Sequence, residues 1–168
     1  ASDTVEVQVA GLFLSDDCVL SRRPAEALRE ADRRSITSHA ALPLGCARAG
    51  AAHLRTLAQS TGREAYNQTA MALTLEIDRC RRDALLWNCD CAGHPQYAAH
   101  ALRTRATANV LAVRAAYAAV VATGGRAHLR DAAPQRLLRE AQFYGTTVLT
   151  PEVQAATLDQ LVSPFFGL

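Results

Sequence analysis

Residues 63–88 read REAYNQTAMALTLEIDRCRRDALLWN, and this stretch decides the fold. Tyr66, Ala70, Leu73, Ile77, Cys80, Ala84 and Trp87 recur at spacings of four and three. Residues so spaced share one face of an α-helix. Between them Glu76 precedes Arg79 by three positions, and Asp78 precedes Arg81 and Arg82 by three and four, which suits a solvated surface. The pattern predicts a long helix over about 63–88 whose apolar seam faces partner helices.

Working outward, Thr61-Gly62 predicts the end of a preceding helix over about 46–60, because glycine is favoured just past a helix C-terminus. Upstream, Pro24 opens a charged segment to about residue 41, with Glu26 near Arg29 and Glu30 near Arg33 and Arg34. Pro43 and Gly45 are expected to break it. On the other side, residues 89–94 form a turn and Pro95 opens a second long helix to about Thr123. Leu102, Ala106, Asn109, Val113, Ala116 and Val120 give that helix its own seam, and Gly124-Gly125 stops it. A shorter helix is expected over 134–144. Thr150 as N-cap with Pro151 in the first turn predicts a last helix to about Val162. Phe165 and Phe166 are expected to cap the core. Val5, Val7 and Val9 alternate with polar residues, the period of a half-buried strand, and the competing reading is a helix that starts early.

The fold class expected is therefore all-α or nearly so: an irregular bundle of five or six helices around two long central ones, with one short N-terminal strand as an option. The 168 residues suit a single domain, 1–168, with 1–23 as an N-terminal extension packed on the bundle. Hydrophobic residues are 49% and charged residues 20%, a globular rather than a disordered balance. Aromatics are only 5% while alanine abounds, which favours closely packed helices over sheets.

Composition also excludes chemistry. All 18 basic residues are arginine, so no Schiff-base lysine, P-loop lysine or lysine general base exists. A GC-rich genome is the simplest account of that bias, and the composition leans bacterial. Net charge is −1 over residues 1–91 and +3 over 92–168; neither half is a polybasic arm, so no nucleic-acid partner is expected. No run of 18 apolar residues predicts a membrane span. The motifs G-x-S-x-G, H-E-x-x-H and G-x-G-x-x-G are absent, so no catalytic or cofactor-binding residue is assigned.

Five cysteines carry the remaining signal. A short break at Thr61-Gly62 folds the flanking helices antiparallel and sets Cys46 level with residues near Cys80, which the seam turns inward. A Cys46–Cys80 disulfide is expected, with Cys18 pairing to Cys89 or Cys91. The rival reading gathers Cys89, Cys91 and His94 as thiolate and imidazole ligands for copper or zinc. That C-x-C-x2-H spacing matches no strong zinc pattern. Of the other histidines, His53 is expected at the core boundary. Asp16-Asp17 reads as a solvated acidic pair.

These readings point to a non-enzymatic helical protein that binds another protein or serves as an assembly component in an oxidising compartment, periplasmic or secreted. A small metal-handling protein, and a helical enzyme or small-ligand carrier with a pocket between the long helices, are the alternatives.

Overall fold

A computed structural model describes residues 6–162, apart from the side chain of Cys89. Six α-helices make up the described chain, which contains no strand: α1 (Ala25–Ser35), α2 (Ala41–Thr61), α3 (Glu64–Leu86), α4 (Tyr97–Thr123), α5 (Ala133–Thr146) and α6 (Pro151–Val162). Short 3-10 turns occupy Asp16–Cys18, Ser38–Ala40, Cys89–Cys91 and Gly124–His128. The all-α bundle holds. Residues 6–10 are not a strand, and Thr4, Val5, Phe165 and Phe166 lie outside the described residues.

The seam on α3 falls where its spacing puts it. Ala70, Leu73, Ile77 and Cys80 are buried, and Tyr66, Ala84 and Trp87 are half-buried. Gly62 ends α2 at φ +68°, a left-handed conformation that favours glycine, and its N–H donates to the Ala58 carbonyl at 2.9 Å. Arg55 donates to the Thr74 hydroxyl at 3.4 Å across the resulting antiparallel pair. At the other end of the chain, the Thr150 hydroxyl accepts from Val153 N–H at 3.3 Å and caps α6 as expected.

Helix α4 differs from its expected single seam. Ala106, Asn109 and Ala116 are buried, but so are Thr104, Arg105, Ala108, Leu111, Ala112, Ala115 and Ala119, while Val113 is exposed. The reason is that α4 packs against α2, α3, α5 and α6 at once, and a helix covered on most sides loses its amphipathic stripe. By length and composition the span Tyr97–His128 could cross a membrane; here it is the central helix of the bundle. Glu76, expected beside Arg79, reaches instead across to Arg114 of α4 in a two-pronged pair at 2.5 and 3.0 Å.

Small residues let these helices approach closely. A Cβ added at Gly50 on α2 would lie 2.7 Å from the carbonyl carbon and oxygen of Ala115 on α4. Gly50→Ala should therefore destabilise by about 1–3 kcal/mol, because the overpacking cost exceeds the gain in helix propensity. Gly45 sits exposed on the same helix with open space around its Cβ position. Gly45→Ala should stabilise by about 0.5–1 kcal/mol. Urea denaturation of both variants checks the opposite signs.

Two boundaries are corrected. Pro43 does not break a helix; it lies buried in the first turn of α2, where the missing N–H costs no hydrogen bond. Gly45 is simply carried along behind it. Within the N-terminal extension, residues 6–23 are not packed on the bundle: every residue from 6 to 34 is exposed, which takes in all of α1 but its last residue. The i,i+3 and i,i+4 pairs Glu26–Arg29, Glu30–Arg33 and Glu30–Arg34 dress α1 on its solvated surface.

Candidate functional site

Cys18, Cys46, Cys80 and Cys91 are free thiols, so neither the Cys46–Cys80 bond nor a bond to Cys18 is formed. The antiparallel pairing of α2 with α3 is right, and the error is in azimuth. Each residue step turns about 100° around a helix. Leu44, Ala47, Ala51 and Leu54 carry the α3-facing stripe of α2, and Cys46 points aside into a cluster with Ala112, Ala116, Leu137 and Ala141. Its thiol donates to the Leu137 carbonyl at 3.3 Å. Cys80 donates to the Thr104 carbonyl at 3.4 Å. Burial pushes the Cys46 thiol up to about 11 and the Cys80 thiol up to about 12, with Glu140 and Asp83 adding to the respective shifts. Both behave as small hydrophobes rather than as nucleophiles.

The turn after α3 gathers rings rather than ligands. Trp87 stacks on His100 with centroids 4.0 Å apart and planes 8° from parallel, and it meets His94 edge-on at 5.2 Å. His94 Nδ1 accepts from the Gln96 N–H at 3.2 Å, and the Cys91 thiol donates to the Leu86 carbonyl at 3.3 Å. The Cys89 side chain lies outside the described residues. Among the described residues no three His, Cys, Asp or Glu side chains cluster closely enough to hold a metal ion. An open hollow of about 490 Å³ beside Trp87, Cys91 and His94 is the nearest cavity.

His53, expected at the core boundary, is half-buried there. Its Nε2–H donates to the Thr123 hydroxyl at 2.9 Å, since that hydroxyl spends its own proton on the Ala119 carbonyl at 2.8 Å. Burial lowers its pKa. Asp16 pairs with Arg22 in the exposed N-terminal segment.

Two features were not read from the sequence. The first is Arg105, 2% exposed at the middle of the bundle. Its guanidinium donates to the His39 carbonyl, to the Tyr144 carbonyl at 2.9 Å and to the Thr147 carbonyl at 3.0 Å. It makes no ion pair among the described residues, and its Nε has no hydrogen-bond partner. Burial pulls it down to about 10, so it stays cationic at neutral pH. Arg105 thus staples three separate pieces of backbone: the approach to α2, the last turn of α5 and the link to α6. The signal was available, because Arg105 stands between Ala101 and Ala108 on a face otherwise made of small apolar residues.

The second is a cleft of about 410 Å³ where α1, the start of α4 and the start of α6 converge. Its floor is apolar: Ile36, Tyr97 and Leu102, with Tyr97 hydroxyl donating to the Arg34 carbonyl at 2.7 Å. One wall, α1, carries Arg29, Arg33 and Arg34 together with Glu30 and Asp32, and Glu30 already pairs with Arg33 and Arg34. Across from it Glu152 sits at the N-terminus of α6, its carboxyl held below the usual range by its own backbone N–H, then by Thr150, with Arg33 adding to the effect. The size is in the range of small-ligand pockets, and the charged rim around an apolar floor suits an amphipathic guest.

Comparison with family models, with curated proteins and with solved structures finds no match to this chain.

Proposed function

We propose that the protein is a non-enzymatic interaction or assembly component: a helical body that presents its N-terminal segment to another protein. One observation carries this reading. Val7, Val9, Leu12, Phe13, Leu14 and Leu20 are each more than 60% exposed in a segment that touches no core. Large apolar side chains exposed together along one segment suit an interaction surface, and extended segments with spaced apolar side chains dock by adding to a sheet edge or lying in a groove.

A periplasmic or secreted location is part of the proposal, and the free thiols of Cys18, Cys46, Cys80 and Cys91 lend it no support. The metal-handling alternative has only Cys91 and His94 in view, each engaged in a local hydrogen bond. The ligand-carrier alternative placed its pocket between the long helices, whereas the cleft opens at one end of α4.

A photoreactive amino acid at Phe13, introduced in the cells that make the protein, should give covalent adducts with another polypeptide chain. The same group at Arg79, exposed on the outer face of α3, should give none. Equal labelling, or no adduct at Phe13, rejects the reading.

A further inference from the structure

We infer that a small hollow against Arg105 binds one ordered water molecule, which accepts from the Arg105 Nε–H and bridges it to the polar wall formed by α1, the turn after it and the approach to α6.

Arg105 is 2% exposed. Its two terminal nitrogens donate to the carbonyls of His39, Tyr144 and Thr147, but its Nε has no partner among the described residues. A guanidinium carries donors only, so Nε–H can be satisfied by nothing but an acceptor. Buried donors without an acceptor are rare, and ordered water supplies one where the protein does not.

The space beside Arg105 fits that role. The hollow lies between Asp32, Ile36 and His39 on one side and Val148, Thr150 and Val153 on the other. About 10 Å³ of it is open to the centre of a water molecule, which is room for one and not for two. Apolar cavities stay dry, but a buried water with two to four polar partners is held. Here the wall supplies acceptors for the two protons of the water. Asp32 brings a carboxylate. The His39 Nδ1 lies 2.7 Å from the Ser35 carbonyl and must be its donor, so Nε2 of the neutral ring is an acceptor. The Thr150 hydroxyl accepts from the Val153 N–H at 3.3 Å and keeps a second lone pair.

A halide ion is the rival for the same position, since it too accepts from N–H and Arg105 makes no ion pair among the described residues. Asp32 in the same wall opposes a second negative charge and favours the neutral acceptor. The water then gives the Arg105 staple a fourth arm. The three carbonyl bonds reach the approach to α2, the end of α5 and the link to α6; the fourth reaches the wall to which α1 contributes.

Crystals of the full chain grown in sodium bromide, with data collected at the bromine absorption edge, test this. The expected result is one spherical density peak about 2.7–3.2 Å from Nε and within the same reach of Asp32, His39 or Thr150, with no anomalous signal. An anomalous peak at that position assigns an anion and overturns the water. A peak bonded to Nε alone overturns the bridge, and featureless density overturns both. In solution, the Nε–H proton of Arg105 should cross-relax with water in rotating-frame spectra, with the sign of dipolar contact rather than of proton exchange. No such cross-peak from that proton also overturns the inference.

Discussion

Arg105→Met should cost about 3–5 kcal/mol of stability, a loss in the range reserved for broken buried networks. Methionine keeps most of the stem volume but supplies no donor. The partly buried carbonyls of His39, Tyr144 and Thr147 would then lose this partner, and a fully buried carbonyl left unsatisfied would cost about 1–3 kcal/mol. Removing a buried charge returns part of that sum, which is why the expected loss is less than three full penalties. Arg105→Lys should rescue only partly: an ammonium is a point donor and cannot span three carbonyls from three pieces of backbone as the planar guanidinium does. Val148 adds to the case. It follows Thr147 at φ +50°, a conformation that a β-branched residue adopts only when its surroundings impose it. The Arg105 bond to the Thr147 carbonyl is one of those constraints. Guanidinium-chloride denaturation with tryptophan fluorescence reads the effect, and a loss within about 0.5 kcal/mol for the methionine variant would show that the staple is idle.

The residues differ in how much of this they announce. Helix α3 is legible because it lies at the edge of the bundle, so one face is apolar and the period of its buried residues survives in the sequence. Gly62, Thr150 and Pro151 are legible because capping depends on local backbone geometry. Helix α4 hides its role. Surrounded on most sides, it answers with alanine nearly everywhere, and a pattern of three and four can be drawn through many sets of its positions. Cys46 shows a second limit. Hairpin length fixes which residues stand level, but a single-residue step turns the side chain by more than a quarter circle, and only the packed bundle decides whether it meets α3 or α5. Arg105 shows a third: its flanks at Ala101 and Ala108 point to burial, but an arginine reads as surface until the helix carrying it is known to be central. The cleft was invisible for the same reason, since Arg33, Tyr97 and Glu152 meet only when three helix ends converge.

Ile77→Ala should destabilise by about 3–5 kcal/mol, towards the upper part of the range for emptying a buried aliphatic site. Ile77 is 1% exposed, in a cluster with Ala47, Ala51, Leu54, Leu73, Ala108, Leu111 and Ala115. The cost of such a deletion depends on how far the neighbours can collapse into the space. Here many neighbours are alanines, whose side chains have no rotamers with which to reach inward. The backbones that carry them are held too, because α2 already meets α4 at Gly50 and Ala115 with no room for a Cβ. The cavity should therefore persist, with its lining atoms losing contacts they cannot replace. Arg81 stands four positions on, exposed on the outer face of the same helix, and Arg81→Ala should change stability by no more than about 0.5 kcal/mol. Parallel denaturant titrations of the two variants decide between a seam and a uniformly tolerant helix. Similar losses at both positions would mean that α3 does not hold the bundle through the Tyr66-to-Trp87 face, and a shared slope with a lowered midpoint for Ile77→Ala alone would show that it does.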